Sequence, residues 1–126
     1  MAFKFEDLKI WQRALDISFK VNELTKSFPK DEIYILSSQI KRAADSISLN
    51  IAEGSTGQSD AEFNRFLGIS MRSAIEVIAC LHIAKRRNIV DDNQFNELYN
   101  EIESLIISIQ SLRKILKNKK TVDSSL

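Results

Sequence analysis

An all-α, antiparallel up-down-up-down four-helix bundle is the fold this 126-residue sequence predicts. Three observations carry that expectation. Apolar residues recur every three or four positions through most of the chain, the period of helices with one buried face. Only 3 Gly and 1 Pro occur, and both types are expected to mark helix ends. The breaks between periodic stretches are short, which makes consecutive helices antiparallel neighbours.

The first helix is expected over residues 8–26, stopping before Phe28-Pro29 because a residue preceding proline avoids the helical region. Leu8, Trp11, Leu15 and Phe19 share one face, and Ile10, Ile17, Val21 and Leu24 share another. Only a narrow polar strip remains, so the apolar arc exceeds what one bundle core needs. The second helix, residues 31–53, opens with Asp31 and Glu32 beside the positive end of its dipole. It is expected to stop at Gly54, since glycine takes the left-handed conformation cheaply.

Ser55 to Gln58 reads as a loop, and Ser59-Asp60-Ala61-Glu62 as a capping box that starts the third helix, residues 60–87. Phe63, Phe66, Leu67, Ser70, Ala74, Val77, Ile78 and Leu81 fall on its core face. Ile69, Cys80 and Ile83 form a second apolar wedge beside Ser73 and Glu76. After a turn at Asn88 to Val90, Asp91 or Asp92 caps the fourth helix, residues 92–117. Its Phe95, Leu98, Ile102, Leu105, Ile109, Leu112 and Leu116 repeat with a period of about 3.5 residues, which implies left-handed knobs-into-holes packing. Residues 118–126 lose the pattern and are expected to fray.

Composition narrows the function classes. Hydrophobic residues make up 44% and charged residues 28%, which excludes a disordered chain, and the purely apolar runs are too short to span a bilayer. The single cysteine, Cys80, cannot close an internal disulfide, and the first ten residues lack a signal-peptide core. A cytoplasmic location is therefore expected. A net charge of +1 leaves no overall electrostatic footprint for nucleic acid.

Catalytic and metal chemistry finds no constellation. His82 has no Cys or His at ligand spacing. Glu62, Glu76, Glu97 and Glu101 lack the histidine three positions on that a di-iron bundle requires. Cys80 has no base to activate it, because His82, two positions along the same helix, points elsewhere. Neither a phosphate loop nor a serine elbow occurs, so no enzyme, cofactor, metal or small-molecule substrate is expected.

Two sets of polar residues remain as candidate sites. On the second helix Ile40, Ala43, Ile47 and Ile51 form the core stripe, with Lys41, Asp45 and Ser48 on the remaining face. Gln39, Arg42, Ser46, Asn50 and Glu53 line up along the edge of that core stripe. Arg42 and Glu53 stand roughly 16 Å apart along the axis and cannot pair with each other. The row is either a solvated edge or a network whose partners are Arg72, Ser73 and Glu76, in the same chain or a neighbour. Basic residues form the second set: Lys85, Arg86 and Arg87 end the third helix, and Arg113, Lys114 and Lys117 end the fourth. Cations there complement the helix dipole, and they are also the chain's candidate contacts to nucleic-acid phosphates.

FEDLKIWQRA at Phe5–Ala14, FPKDEIYILSSQIKRAADSISLNIAEG at Phe28–Gly54 and the following SDAEFNRFLGIS resemble the family of proteins encoded by intervening sequences in bacterial large-subunit ribosomal RNA genes. The resemblance runs from about Phe5 to Leu116 and is most specific at DLKIWQ and RAADSISLNIAEG. Thr56-Gly57-Gln58 stands where the family has a basic residue, and Arg72-Ser73 where it has a Gly-Ser pair. The resemblance implies a closed homopentameric ring of bundles, similar in fold to retroelement accessory proteins that bind a reverse transcriptase and nucleic acid. The leading expectation is thus a non-enzymatic, ring-forming scaffold that engages RNA or a nucleic-acid-processing protein, with a protein–protein adaptor lacking any nucleic-acid contact as the alternative.

Overall fold

The computed structural model describes residues 3–57 and 59–125, with side chains described as far as Asn118. It is an all-α bundle of α1 (Lys9–Thr25), α2 (Ser38–Ser55), α3 (Asp60–Arg86) and α4 (Asp92–Ser125). Each consecutive pair packs together, and α4 returns to α1, so α1 and α3 occupy diagonal corners. The core is one continuous cluster with Ile17, Ile40, Ile47, Leu67, Leu81, Ile102 and Ile109 fully buried. All seven repeating positions of α4 point into or against it, Leu112 being half-buried and the other six buried.

Helix ends follow local chemistry. Ser59 has extended backbone and its hydroxyl accepts from the Glu62 amide at 3.1 Å, opening α3 as its sequence requires. Asp91 accepts from the Gln94 amide at 2.7 Å while Gln94 accepts from the Asp91 amide at 2.9 Å, a reciprocal box that settles which aspartate caps α4. Between them Asn88 takes φ 59°, with its amide bonded to the Lys85 carbonyl and the Ile89 amide to the Ala84 carbonyl at 2.8 Å. This is a Schellman ending with asparagine in the position that glycine usually takes.

Four expectations are corrected. Gly54 does not end α2: it lies inside the helix, and a Cβ there would sit 2.5 Å from the Cβ of Phe66 on α3. Glycine is needed at that point for close approach of two helices rather than for a left-handed cap. Gly68 likewise lies within α3. Secondly, the segment before α2 is not regular α-helix. A 3-10 turn at Lys30–Glu32 leads into a π turn at Ile33–Ser37. The wider π turn shifts the phase of the helix, turning Leu36 and Ser37 inward and Ile33, Tyr34 and Ile35 outward, with Tyr34 93% exposed. Thirdly, α4 continues to Ser125 past the apolar pattern that ends at Leu116. No glycine or proline interrupts residues 117–125, and backbone hydrogen bonds need no apolar face.

The surplus apolar residues of α1 lie outside the core, as an arc wider than one core needs implies, and the fourth correction is confined to Ser48. Ile10, Ala14, Ile17 and Val21 take the buried face of α1, leaving Leu15 and Phe19 exposed, Phe19 by 65%. The wedge on α3 splits in the same way: Cys80 is buried, Ile69 half-buried and Ile83 exposed. Ser48, placed by sequence on the outer face of α2, is buried and its hydroxyl donates to the Asp45 carbonyl.

By length and composition α3 could cross a membrane, since an 18-residue window within it has a mean hydropathy of 1.5. In this fold Phe63, Leu67, Ala74, Val77 and Leu81 are buried in the core, while Ile75 and Ile83 stay exposed. Arg72 and Glu76 would be costly in hydrocarbon at mid-helix.

Gly54→Ala tests the close approach. Helix propensity alone would stabilise the variant by about 1 kcal/mol, but overpacking against Phe66 is expected to reverse the sign and destabilise by about 1–3 kcal/mol in urea denaturation.

Candidate functional site

The polar row on α2 divides into a knitted centre and open ends. At the centre, Asn50 Nδ2 donates to the Ser46 hydroxyl at 2.9 Å and to the Ser46 carbonyl at 2.8 Å. Ser46 and Ser73 share a 2.9 Å bond across the α2–α3 boundary, and Ser73 Oγ reaches the Ile69 carbonyl at 3.2 Å. Donor counting gives this chain a direction. Ser73 spends its only proton on the carbonyl, so Ser46 donates to Ser73 and accepts from Asn50. One turn deeper, Ser70 is fully buried and donates to the Ile47 carbonyl at 2.9 Å. Serines are small enough to meet where the two helices lie closest, and each hydroxyl is satisfied.

The ends behave differently. Gln39, Arg42 and Glu53 are exposed, and the Arg42 guanidinium reaches only the Ser38 hydroxyl, at 3.4 Å. Arg42 and Glu76 line one shallow hollow with Tyr34, Ile35, Ser38 and Gln39. The structure therefore brings Ser46, Asn50 and Ser73 together within one chain and leaves Arg42 and Glu53 facing outward.

The basic helix ends also divide. Lys85 pairs with Asp92 at 3.4 Å and lies over the Phe95 ring, while Arg87 reaches Glu32 at 3.0 Å. Arg113 is half-buried, with Nε donating to Asn64 Oδ1 at 2.7 Å across the α3–α4 boundary. Arg86 and Lys114 remain exposed. As antiparallel packing requires, the Lys85 cluster faces the start of α4 and the Arg113 cluster the start of α3, at opposite ends of the bundle. Lys114 and Lys117 line a groove of about 870 Å³ between α3 and α4, together with Arg113.

Several tertiary links escaped the sequence reading. Arg13 donates to Ser104 and Ser108, both at 2.8 Å, and Lys20 meets Glu101 at 2.7 Å, joining α1 to α4. The Glu101 hydrogen bond holds the Lys20 ammonium above its ordinary pKa. Ser18 donates to Asp45, joining α1 to α2. Such pairs depend on interhelical register, which spacing within one helix does not encode. His82 packs edge-on against Phe95 and Tyr99. Among the described residues no three of His, Cys, Asp and Glu gather as a metal-binding group.

A profile of the 23S rRNA-intervening sequence protein family matches residues 6–111. The chain belongs to this family. Its fold is similar to the crystal structure of a protein of unknown function from the S23 ribosomal protein family of Bacteroides thetaiotaomicron. That likeness has a TM-score of 0.78 at 24% identity, covers 83% of this chain and 95% of the other, and concerns the fold alone. No curated protein matches the chain. In this intervening-sequence protein Arg113, Lys114 and Lys117 lie beyond the matched stretch, whereas the polar row and the Lys85 cluster lie within it.

Two outcomes test this geometry. Arg42→Ala should leave subunit stability within about 0.5 kcal/mol of the parent in urea denaturation, whereas Ser70→Ala, which removes a buried bond between helices, should cost about 1 kcal/mol. Burial, and secondarily the charge of Glu76, pushes the Cys80 thiol pKa up. In the folded protein Cys80 should therefore resist a disulfide reagent near neutral pH and react only as fast as the chain opens, measured against the same reaction in denaturant.

Proposed function

We propose that this protein is a non-enzymatic scaffold whose subunits associate head to tail into a closed ring, a homopentamer being the assembly that family resemblance suggests. One observation carries the reading: among the described residues, apolar side chains are left uncovered on the diagonal helices α1 and α3. Leu15 and Phe19 on α1 lie beside Lys41 and Asp45 of α2, with Leu49, 64% exposed, one turn further along α2. Ile75 and Ile83, with Ala79 between them, lie on the outer face of α3. Tyr34 and Ile35 are exposed beside Arg42 and Glu76, towards the end of the bundle where Arg87 meets Glu32.

Two different patches on diagonal corners suit a heterologous contact, in which one face of each subunit meets the other face of the next. Exposed apolar clusters of this kind mark interaction surfaces. Arg42 and Gln39 border the second patch, so the outward ends of the polar row would lie at the rim of such a contact, where polar groups belong.

RNA contact is a second reading, supported by the family's name and by exposed cations at both bundle ends. Lys85 and Arg87 are paired with carboxylates and Arg113 is half-buried against Asn64, so the exposed Arg86 and Lys114 are its main carriers. Binding of this kind would be directed at phosphates and would weaken steeply with salt. A filter-binding titration of a single-stranded RNA at low salt tests it: Arg86→Ala or Lys114→Ala should reduce retention, and no retention by the parent protein would remove the reading.

Phe19→Glu is the variant that addresses assembly. It places a charge on a residue already largely exposed, so the helical circular dichroism should be unchanged while light scattering shows smaller particles. Unchanged particle size with intact folding would contradict the α1 patch as a contact.

A further inference from the structure

The α3–α4 groove has a property that neither self-association nor stability explains. Its walls are apolar at Ala61, Met71, Ile107 and Leu116, and Ile107 is 57% exposed on its rim. Within it stands Arg113, a half-buried guanidinium that meets no carboxylate within salt-bridge distance among the described residues. Its Nε donates to the neutral Asn64 amide, and its terminal Nη1 has only the Met71 sulfur, at 3.8 Å. A guanidinium carries five donors in a rigid fork suited to a carboxylate. The two terminal nitrogens of Arg113 therefore have no oxygen partner among the described residues.

The site is also shaped for that side chain. Gly68 of α3 lies directly beneath the guanidinium, and a Cβ at that position would come within 3.1–3.2 Å of Arg113 Nη2, Cζ and Nη1. Glycine within a helix is unfavourable by about 1 kcal/mol, and here it lets the fork lie flat against the α3 backbone. Asn64 then fixes its orientation from one side. Among the described residues that line it, Lys114 and Lys117 add positive charge along the α4 wall and Asp60 contributes a carboxylate at the α3 end.

We infer that this groove is a docking site for a peptide segment of a partner protein, one that presents an acidic side chain next to apolar residues. Arg113 would clamp the carboxylate through its terminal nitrogens, while Met71, Ile107 and Leu116 receive the apolar side chains. Charge complementarity selects an acidic partner, and the apolar walls favour a peptide over a polynucleotide, since no aromatic ring lines the groove for base stacking. The groove lies away from the α1–α2 corner that carries Leu15 and Phe19 but shares α3 with Ile75 and Ile83. The oligomeric state of the groove variant therefore separates a docked peptide from a subunit contact.

Panning a display library of short random peptides against the full-length protein supplies the probe, with binding of a recovered, fluorescently labelled peptide then followed by polarisation. Recovered sequences are expected to share Asp or Glu within one helical turn of Leu, Ile or Met. Ile107→Glu and Arg113→Gln should each weaken the labelled peptide by about tenfold or more, with circular dichroism and particle size unchanged. Ile107 is exposed, so its substitution remains informative if Arg113→Gln perturbs the fold. Peptides lacking an acidic residue, or affinity unaffected by Ile107→Glu, would overturn the inference. So would displacement of the peptide by single-stranded RNA at matched charge, or loss of the oligomer in Ile107→Glu, which would assign the groove to nucleic acid or to a second copy of the chain.

Discussion

The close approach of α2 and α3 is the constraint on which the rest of the structure depends. Gly54 lets the α2 backbone come against Phe66, and Ser70 crosses to the Ile47 carbonyl. Ser46 and Ser73 then meet at hydrogen-bond distance. Large side chains along this line would hold the axes apart, and larger polar groups would be left unsatisfied in the gap. Ala43, Ala44 and Ala74, all buried, belong to the same economy of size. A polar row beside the core is thus a consequence of proximity, because hydroxyls of this size can be both buried and bonded there.

Packing α2 so tightly against α3 determines what stays outside. With one face of α1 turned to the core through Ile10, Ala14, Ile17 and Val21, the neighbouring apolar residues Leu15 and Phe19 have nothing in the subunit to cover them. The π turn at Ile33–Ser37 has the same effect at the start of α2, since it brings Leu36 inward and Tyr34 outward within one turn. Both surfaces are expensive to leave in water, and both find a use if subunits cover one another.

How much of this was legible in the sequence depends on the range of the interaction. Periodicity located the four helices and most core residues, because burial of one face is written within each helix. Ser59 declared the start of α3 for the same local reason. The π turn leaves no mark in the sequence, since its hydrogen-bond offset changes no residue type, and Gly54 reads as a terminator because a glycine near a helix end has two physical uses. The polar row was recognised, but its division into a bonded centre and open ends required the register between α2 and α3. Arg113 reads in sequence as an ordinary cation near a helix terminus. Only the α3–α4 pairing shows it lying over Gly68 and bonded to Asn64.

The central claim is that these surplus apolar faces close a ring, and native mass spectrometry of the unmodified chain over a wide concentration range addresses it most directly. A closed head-to-tail assembly predicts one dominant species, at five times the chain mass if the family resemblance holds, that does not grow as concentration rises. A folded monomer at every concentration, or an open series of ever larger species, would contradict it.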